Sequence, residues 1–224
     1  AAGQDATPAG PPFEVEVERN VLYGEADGQE LLLDVYRPPD REQPRPAVVQ
    51  IHGGGWTAMT LNRSDSFSTR PSKALAEQGY VVFNIDYRLT GSIAGENRWP
   101  AQLDDVQRAV RWLRANADRY GVDPERVGAY GHSAGGHLAA MLGLRDTRDT
   151  SADDLADYSS RVNAVVTISG DMDLTGPGID AETVERLLGG TPDEVPDAYE
   201  DASPIRWVKP VPPPFLVIRG GTAD

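Results

Sequence analysis

A chain of 224 residues, 39% hydrophobic and 25% charged, is long enough for one domain with a full core and too short for two comfortable ones. Its formal charge of -14 repels nucleic acid and anionic membrane surfaces at long range, and no apolar run approaches the roughly 20 residues that a membrane span needs, so neutral substrates are favoured. The absence of cysteine removes disulfides, thiolate nucleophiles and cysteine metal sites, and leaves the redox compartment undecided.

The chain opens on Ala1, and "AAGQDATPAGPP" is a proline-rich run of small residues. Residues 1–12 therefore read as a disordered leader to a domain over 13–224. A mature terminus left by signal-peptide removal has this texture, as does a truncated boundary, and secretion is favoured over a cytoplasmic location. "FEVEVE" (Phe13 to Glu18) alternates apolar and acidic residues, the period of a strand with one wet face. "ELLLDVYRP" (Glu30 to Pro38) follows "GEADGQ", whose glycines and aspartate suit a turn, so the two segments predict an antiparallel hairpin.

From Ala47 the strands become short apolar runs suited to burial on both faces: "AVVQI" (47–51), "YVVFNID" (80–86), "RVGAYG" (126–131), "AVVTIS" (164–169) and "FLVI" (215–218). Helical patterns alternate with them. "PAQLDDVQRAVRWLRANADRYG" begins on a proline, sets Leu103, Val106, Val110, Leu113 and Ala117 on one stripe and stops at Gly121. Further helices are expected over 134–144, 72–78 and 181–188. Alternating strands and helices predict crossover units and a mainly parallel sheet covered on both faces. The polar run "RDTRDTSADDLADYSSR" (145–161) reads as a solvated excursion near the sheet's functional edge. Its aspartates lack the spacing and closing glutamate of a calcium loop, so no metal is expected.

Two glycine-rich motifs carry the chemistry. Gly131 to Gly135 form G-x-S-x-G between a predicted strand and a predicted helix. In such a turn the serine takes a strained conformation, and the residues two before and two after it must be small. The helix start then aims backbone N–H groups, Ala134's among them, at charge developing beside Ser133. "HGGGW" (His52 to Trp56) follows "AVVQI" and exposes backbone amides without side chains. Both motifs fall at strand C-terminal ends, the edge where open parallel sheets bind ligands, and serine plus oxyanion donors implies acyl transfer.

"HGGGW", "NIDYRL", "WPAQLDDVQRAVRWLRANADRYGVDPERVGAYGHSAGGHLAA" and "PPPFLVIRGGTAD" resemble the α/β-hydrolase fold, specifically the bacterial carboxylesterases of the hormone-sensitive-lipase-like group. The texture is most similar to the acetylxylan and feruloyl esterase-like branch, and the resemblance runs from about residue 30 to the end. It implies an α/β-hydrolase domain with a mainly parallel twisted sheet and helices on both faces, here lacking its C-terminal strand and helix. It further implies a nucleophile at Ser133, an oxyanion hole from the N–H groups of Gly54, Gly55 and Ala134, and an acid at Asp224 in "RGGTAD". The family has a histidine before that glycine where this chain has Arg219 and Gly220; Asp171 and Asp173 in "SGDMDL" are alternatives for the acid.

The family's base is a histidine some thirty residues past the acid, which this chain does not reach. The three histidines present suit other tasks. His52 is expected to hydrogen-bond the backbone of its loop, His132 to point away from the serine oxygen, and His137 to sit a turn inside the helix. His132 and Trp56 are nonetheless substrate-contact candidates, with core packing an alternative for Trp56. The implied activity is carboxylic ester hydrolysis through an acyl-enzyme, with no cofactor, on a small-molecule or oligosaccharide ester bearing short acyl, acetyl or feruloyl groups. A C-terminal fragment would be the partner that supplies the base. A formamidase or amidase of the same fold, or a non-catalytic hydrolase-fold fragment, would use the same scaffold.

Overall fold

The computed structural model describes residues 13–40, 43–57, 61–91, 97–148, 155–176 and 179–220. Seven strands form one sheet: β1 (Glu16–Ala26), β2 (Gln29–Arg37), β3 (Arg45–Ile51), β4 (Val81–Ile85), β5 (Val122–His132), β6 (Ala164–Ile168) and β7 (Phe215–Ile218). Their spatial order is β1-β2-β4-β3-β5-β6-β7. The first two strands run antiparallel, β2 also pairs antiparallel with β4, and every pairing from β4 through β3, β5 and β6 to β7 is parallel. The leader, residues 1–12, lies outside the described residues.

The hairpin turn is tighter than the sequence suggests. Ala26 faces Gln29, leaving Asp27 and Gly28 alone in the loop with φ of 50° and 71°. Both central residues of a mirror-type two-residue turn need positive φ, which glycine and aspartate supply at low cost. The first strand begins at Glu16, later than expected, and continues through Gly24 to Ala26 with two register irregularities.

Among the described residues there are six α-helices: α1 (Ser66–Glu77), α2 (Ala101–Ala115), α3 (Ala117–Tyr120), α4 (Ala134–Leu144), α5 (Ala181–Leu188) and α6 (Pro196–Ala202); the first four pack on the sheet. The stripe on α2 is buried at Leu103, Val106, Val110 and Leu113, and Ala117 continues it on α3. Gly121 closes that segment with φ 65°, the left-handed cap that glycine adopts without a Cβ clash. The sequence suggests a helix over 72–78, but the Asp65 carboxylate accepts from the N–H groups of Phe67 and Ser68 and starts α1 at Ser66, with Pro71 inside it. The short α6 carries no periodic apolar signal and was not expected.

The polar run at 145–161 joins the end of α4 to the start of β6. Its described parts lie along α2: Arg148 pairs with Asp104 in the first turn of that helix, and the Ser159 carbonyl accepts from Arg114 in its last.

No described helix is long and apolar enough to cross a membrane. The sheet's two faces are covered unequally. The main core lies on the α2 and α4 side, while a small cluster of Tyr36, Val48, Ala76 and Val82 sits under α1. Beside α1 an apolar groove of about 310 Å³ runs along Val48, Leu75, Tyr80, Tyr130, Ala164 and Val166. Strand β7 is the outermost described strand on its side, with Leu216, Val217 and Ile218 exposed. An apolar edge with unpaired backbone groups templates further pairing. The 224-residue chain expressed alone is expected to self-associate, and Val217→Lys to lower the aggregated fraction several-fold in light scattering. Equal aggregation of the two would place the association elsewhere.

Candidate active site

Strand β5 ends at His132 and helix α4 begins at Ala134, so Ser133 is the single hinge residue between them. Its φ of 54° and ψ of -124° lie where a side chain is rarely tolerated, and such strain persists only when surroundings over-determine it. The flanking glycines provide those surroundings. A Cβ on Gly131 would fall 2.2 Å from the carbonyl oxygen of Gly135, and one on Gly135 would fall 2.1 Å from that of Ile51. Strand, helix and the end of β3 are therefore in backbone-to-backbone contact. The Ser133 N–H donates to the Ile168 carbonyl at 2.8 Å, and its carbonyl accepts from His137 N–H at 3.0 Å.

The glycine loop leaves β3 directly beside this turn. A Cβ on Gly53 would sit 2.8 Å from the His132 carbonyl and 3.4 Å from Ser133 Cβ. Gly54, Gly55 and Trp56 all have positive φ, at 111°, 62° and 58°. Thr57 closes the turn by donating from N–H and Oγ1 to the Gly54 carbonyl, at 3.2 and 3.3 Å. Thr90 N–H then donates to the Trp56 carbonyl at 2.8 Å.

His52 anchors the base of the loop. Its Nδ1–H donates to the Gly53 carbonyl at 2.7 Å, its ring stacks on Tyr87 at 4.4 Å, and Tyr87 Oη donates to the His52 carbonyl at 3.0 Å. Its Nε2 lies 3.7 Å from the Asp86 carboxylate, beyond hydrogen-bond reach. Asp86 is itself paired with Arg63, which also reaches Asp34 and Asn20. Burial holds the His52 imidazole down at about 4, against the smaller opposing effect of its bond to Gly53. His137 is likewise pushed to about 4 by complete burial; its Nε2–H donates to the Ala202 carbonyl at 2.7 Å.

A cavity of about 390 Å³ opens at this edge, lined by Gly54, Gly55, Thr57, Leu61, His132, Ser133 and Thr183. The structure thus brings Ser133, Gly54, Gly55 and His132 together on one wall-sharing pocket. Ala134 follows at the buried first position of α4. His132 lines this pocket too, with its ring stacked on Phe67 at 6.3 Å. Trp56 is a correction: it is not among the lining residues, and its indole is buried in the main core, edge-on to His137 at 5.2 Å. Asp224 lies outside the described residues. Both alternatives are half-buried: Asp173 accepts from Thr175 N–H and Oγ1, and the carboxyl of Asp171 is raised by burial against the opposing charge of Arg219. Thr57, Leu61 and Thr183 were not foreseen, since only the folded chain carries α5 to the glycine loop. No cluster of three metal-ligating side chains occurs among the described residues.

Residues 33–224 match the BD-FAE family. The chain belongs to the BD-FAE family. Among curated relatives of this BD-FAE chain, esterase LipC of Mycobacterium tuberculosis is 38% identical over 214 residues, covering 90% of this chain and 50% of LipC. Esterase LipQ of the same organism is 31% identical, covering 90% and 48%. The chain spans about half the length of these curated relatives. Among solved structures, a truncated carbohydrate esterase from gut microbiota superposes with a TM-score of 0.78 at 30% identity, covering 95% of this chain and 79% of that one. The butyrate-bound esterase Est2 of Thermogutta terrifontis gives 0.71 at 27%, covering 92% and 71%. The α/β-hydrolase fold and the hormone-sensitive-lipase-like grouping stand on these likenesses.

Two outcomes follow from the packing. Gly135→Ala puts a Cβ into the Ile51 carbonyl and is expected to cost about 3 kcal/mol or more in urea unfolding, whereas Gly220→Ala, with nothing within 4 Å, stays within about 0.5 kcal/mol. Equal effects would mean the helix start is not in contact with β3. For His52 and His137 the folded state disfavours the proton, so the unfolded chain binds more protons between the ordinary value of 6.5 and about 4. Stability is complete above that window and falls as pH drops through it, by about 3 kcal/mol per histidine. Urea midpoints between pH 7 and 4 should fall less steeply in His137→Gln than in the parent; identical slopes would refute the buried neutral imidazole.

Proposed function

We propose that the BD-FAE chain carries the nucleophile and oxyanion hole of a serine carboxylesterase. The observation that carries this reading is the strained Ser133, held at φ 54° on a pocket that it shares with Gly54 and Gly55. Such strain is stored where a side chain must project into a site, and the adjoining helix start and glycine turn are the donor sources that a developing oxyanion requires. In the proposed reaction Ser133 Oγ attacks the ester carbonyl carbon. Its oxygen becomes an oxyanion facing the N–H groups of Gly54, Gly55 and Ala134. The alcohol leaves, and water then releases the acid from the acyl-enzyme. The place of these three residues around Ser133 supports the assignment.

The acid is assigned to Asp224 from its motif. The base would be a histidine outside residues 1–224, a reading supported by the fixed bonding of His52 to Gly53 and of His137 to Ala202 and by the stacking of the His132 ring on Phe67. Curated relatives named as esterases and a solved carbohydrate esterase support esters as substrates. The latter, with the open pocket beside Ser133, favours acetyl or feruloyl esters of sugars.

In the full-length protein, a fluorophosphonate is expected to add once, on the peptide containing Ser133. Ser133→Ala should abolish the adduct and lower kcat on p-nitrophenyl acetate by about a millionfold. Turnover that survives Ser133→Ala would overturn the proposal.

A further inference from the structure

We propose that Thr183 decides which esters fit beside Ser133, a reading that rests on the serine esterase assignment. Thr183 is the one residue from helix α5 that lines the pocket holding Ser133, Gly54 and Gly55. The packing dictates what it presents there. Its N–H and its Oγ1–H both donate to the Asp180 carboxylate, at 3.4 and 2.7 Å, as the N-terminal cap of α5. With the hydroxyl committed to Asp180, the remaining branch, the Cγ2 methyl, is turned toward the glycine loop. A Cβ on Gly55 would lie 3.0 Å from that methyl. The methyl therefore closes onto a backbone that has no side chain of its own, and its position is locked twice, by the restricted χ1 of a β-branched residue and by the cap.

The element beneath Thr183 is firmly seated. Val184, Leu187 and Leu188 are buried in the main core, and the Leu187 carbonyl accepts from Trp99 N–H at 3.0 Å. A wall built on such a helix does not yield to a longer substrate arm by moving aside. The rest of the pocket near Ser133 is lined by Gly54, Gly55, Thr57, Leu61 and His132, so the Thr183 methyl is the apolar stop on the α5 side. Removing one methyl from such a wall changes the discrimination between substrates that differ by a methylene or more by about tenfold or above.

Two substitutions separate shape from structure. Thr183→Ser keeps the hydroxyl that caps α5 and removes the methyl. Thr183→Val keeps a methyl on Gly55 and removes the hydroxyl. The measurement is kcat/KM in the full-length protein for p-nitrophenyl esters with acyl chains of two to eight carbons, and for acetates of alcohols of the same lengths. Thr183→Ser is expected to shift the preference toward longer chains by about tenfold in one of the two series, while Thr183→Val keeps the parent profile. A uniform loss across all lengths in both variants, or a profile unchanged in Thr183→Ser while turnover still depends on Ser133, overturns the role of Thr183 alone. Turnover independent of Ser133 overturns the esterase reading and this inference with it.

Discussion

The site depends on one contact that contains no side chain. Gly135, the second residue of α4, lies against the carbonyls of Ile51 and His52 at the end of β3. Any Cβ there would push the helix off the strand. That approach sets the height of α4 above the sheet and forces the sharp turn at Ser133, because β5 must reach the helix start within one residue. Gly131 completes the fit from the strand side. The same contact brings the glycine loop, which continues from Ile51, against His132 and Ser133. The turn at Ser133 and the glycine loop are thus a single packed object, although about 75 residues of chain separate Trp56 from Gly131.

A run of three glycines loses more conformational freedom on folding than any other three residues, so the loop must be held from behind. His52 bonds its carbonyl neighbour, Tyr87 bonds the His52 carbonyl, and Thr57 and Thr90 close the far side. Beneath lies a polar cluster in which Arg63 bridges Asp86 and Asp34. Arg63 backbone N–H also donates to Asp86, and its carbonyl accepts from Asn84. A buried pair of this kind is costly to break from one side, since a lone charge would remain. The cluster therefore resists local opening at the place where the loop itself contributes little cohesion. Charge is spent on position here, which a count of ion pairs against total stability would miss.

Much of this was legible in the sequence because the signals are local. The stripe on α2, the capping Gly121, the apolar runs of β3 to β7 and both glycine motifs each announce themselves within a few residues. What escaped was set by packing between distant segments. The start of α1 at Ser66 turns on the cap that Asp65 supplies. Trp56 sits next to the site in the chain, yet its indole is buried in the core. Thr183 reaches the pocket from a segment with no motif of its own, so no spacing rule could have marked it. Glycine motifs are readable because glycine is demanded by backbone geometry; pocket walls are not, because many residues could have filled them.

The histidines show the same division between what a residue type suggests and what its surroundings permit. A general base works best with an affinity for protons near the working pH. Burial holds His52 and His137 down at about 4, so at neutral pH each is an uncharged imidazole whose one N–H is already given to a backbone carbonyl. Accepting the proton of Ser133 would place a charge in the core with no water to solvate it. Both are therefore hydrogen-bond donors that happen to be imidazoles, one pinning the glycine loop and the other tying α4 to the end of α6. Their value to the fold lies in staying neutral, and the same burial that suits them to holding backbone in place keeps them from taking up a proton near neutral pH.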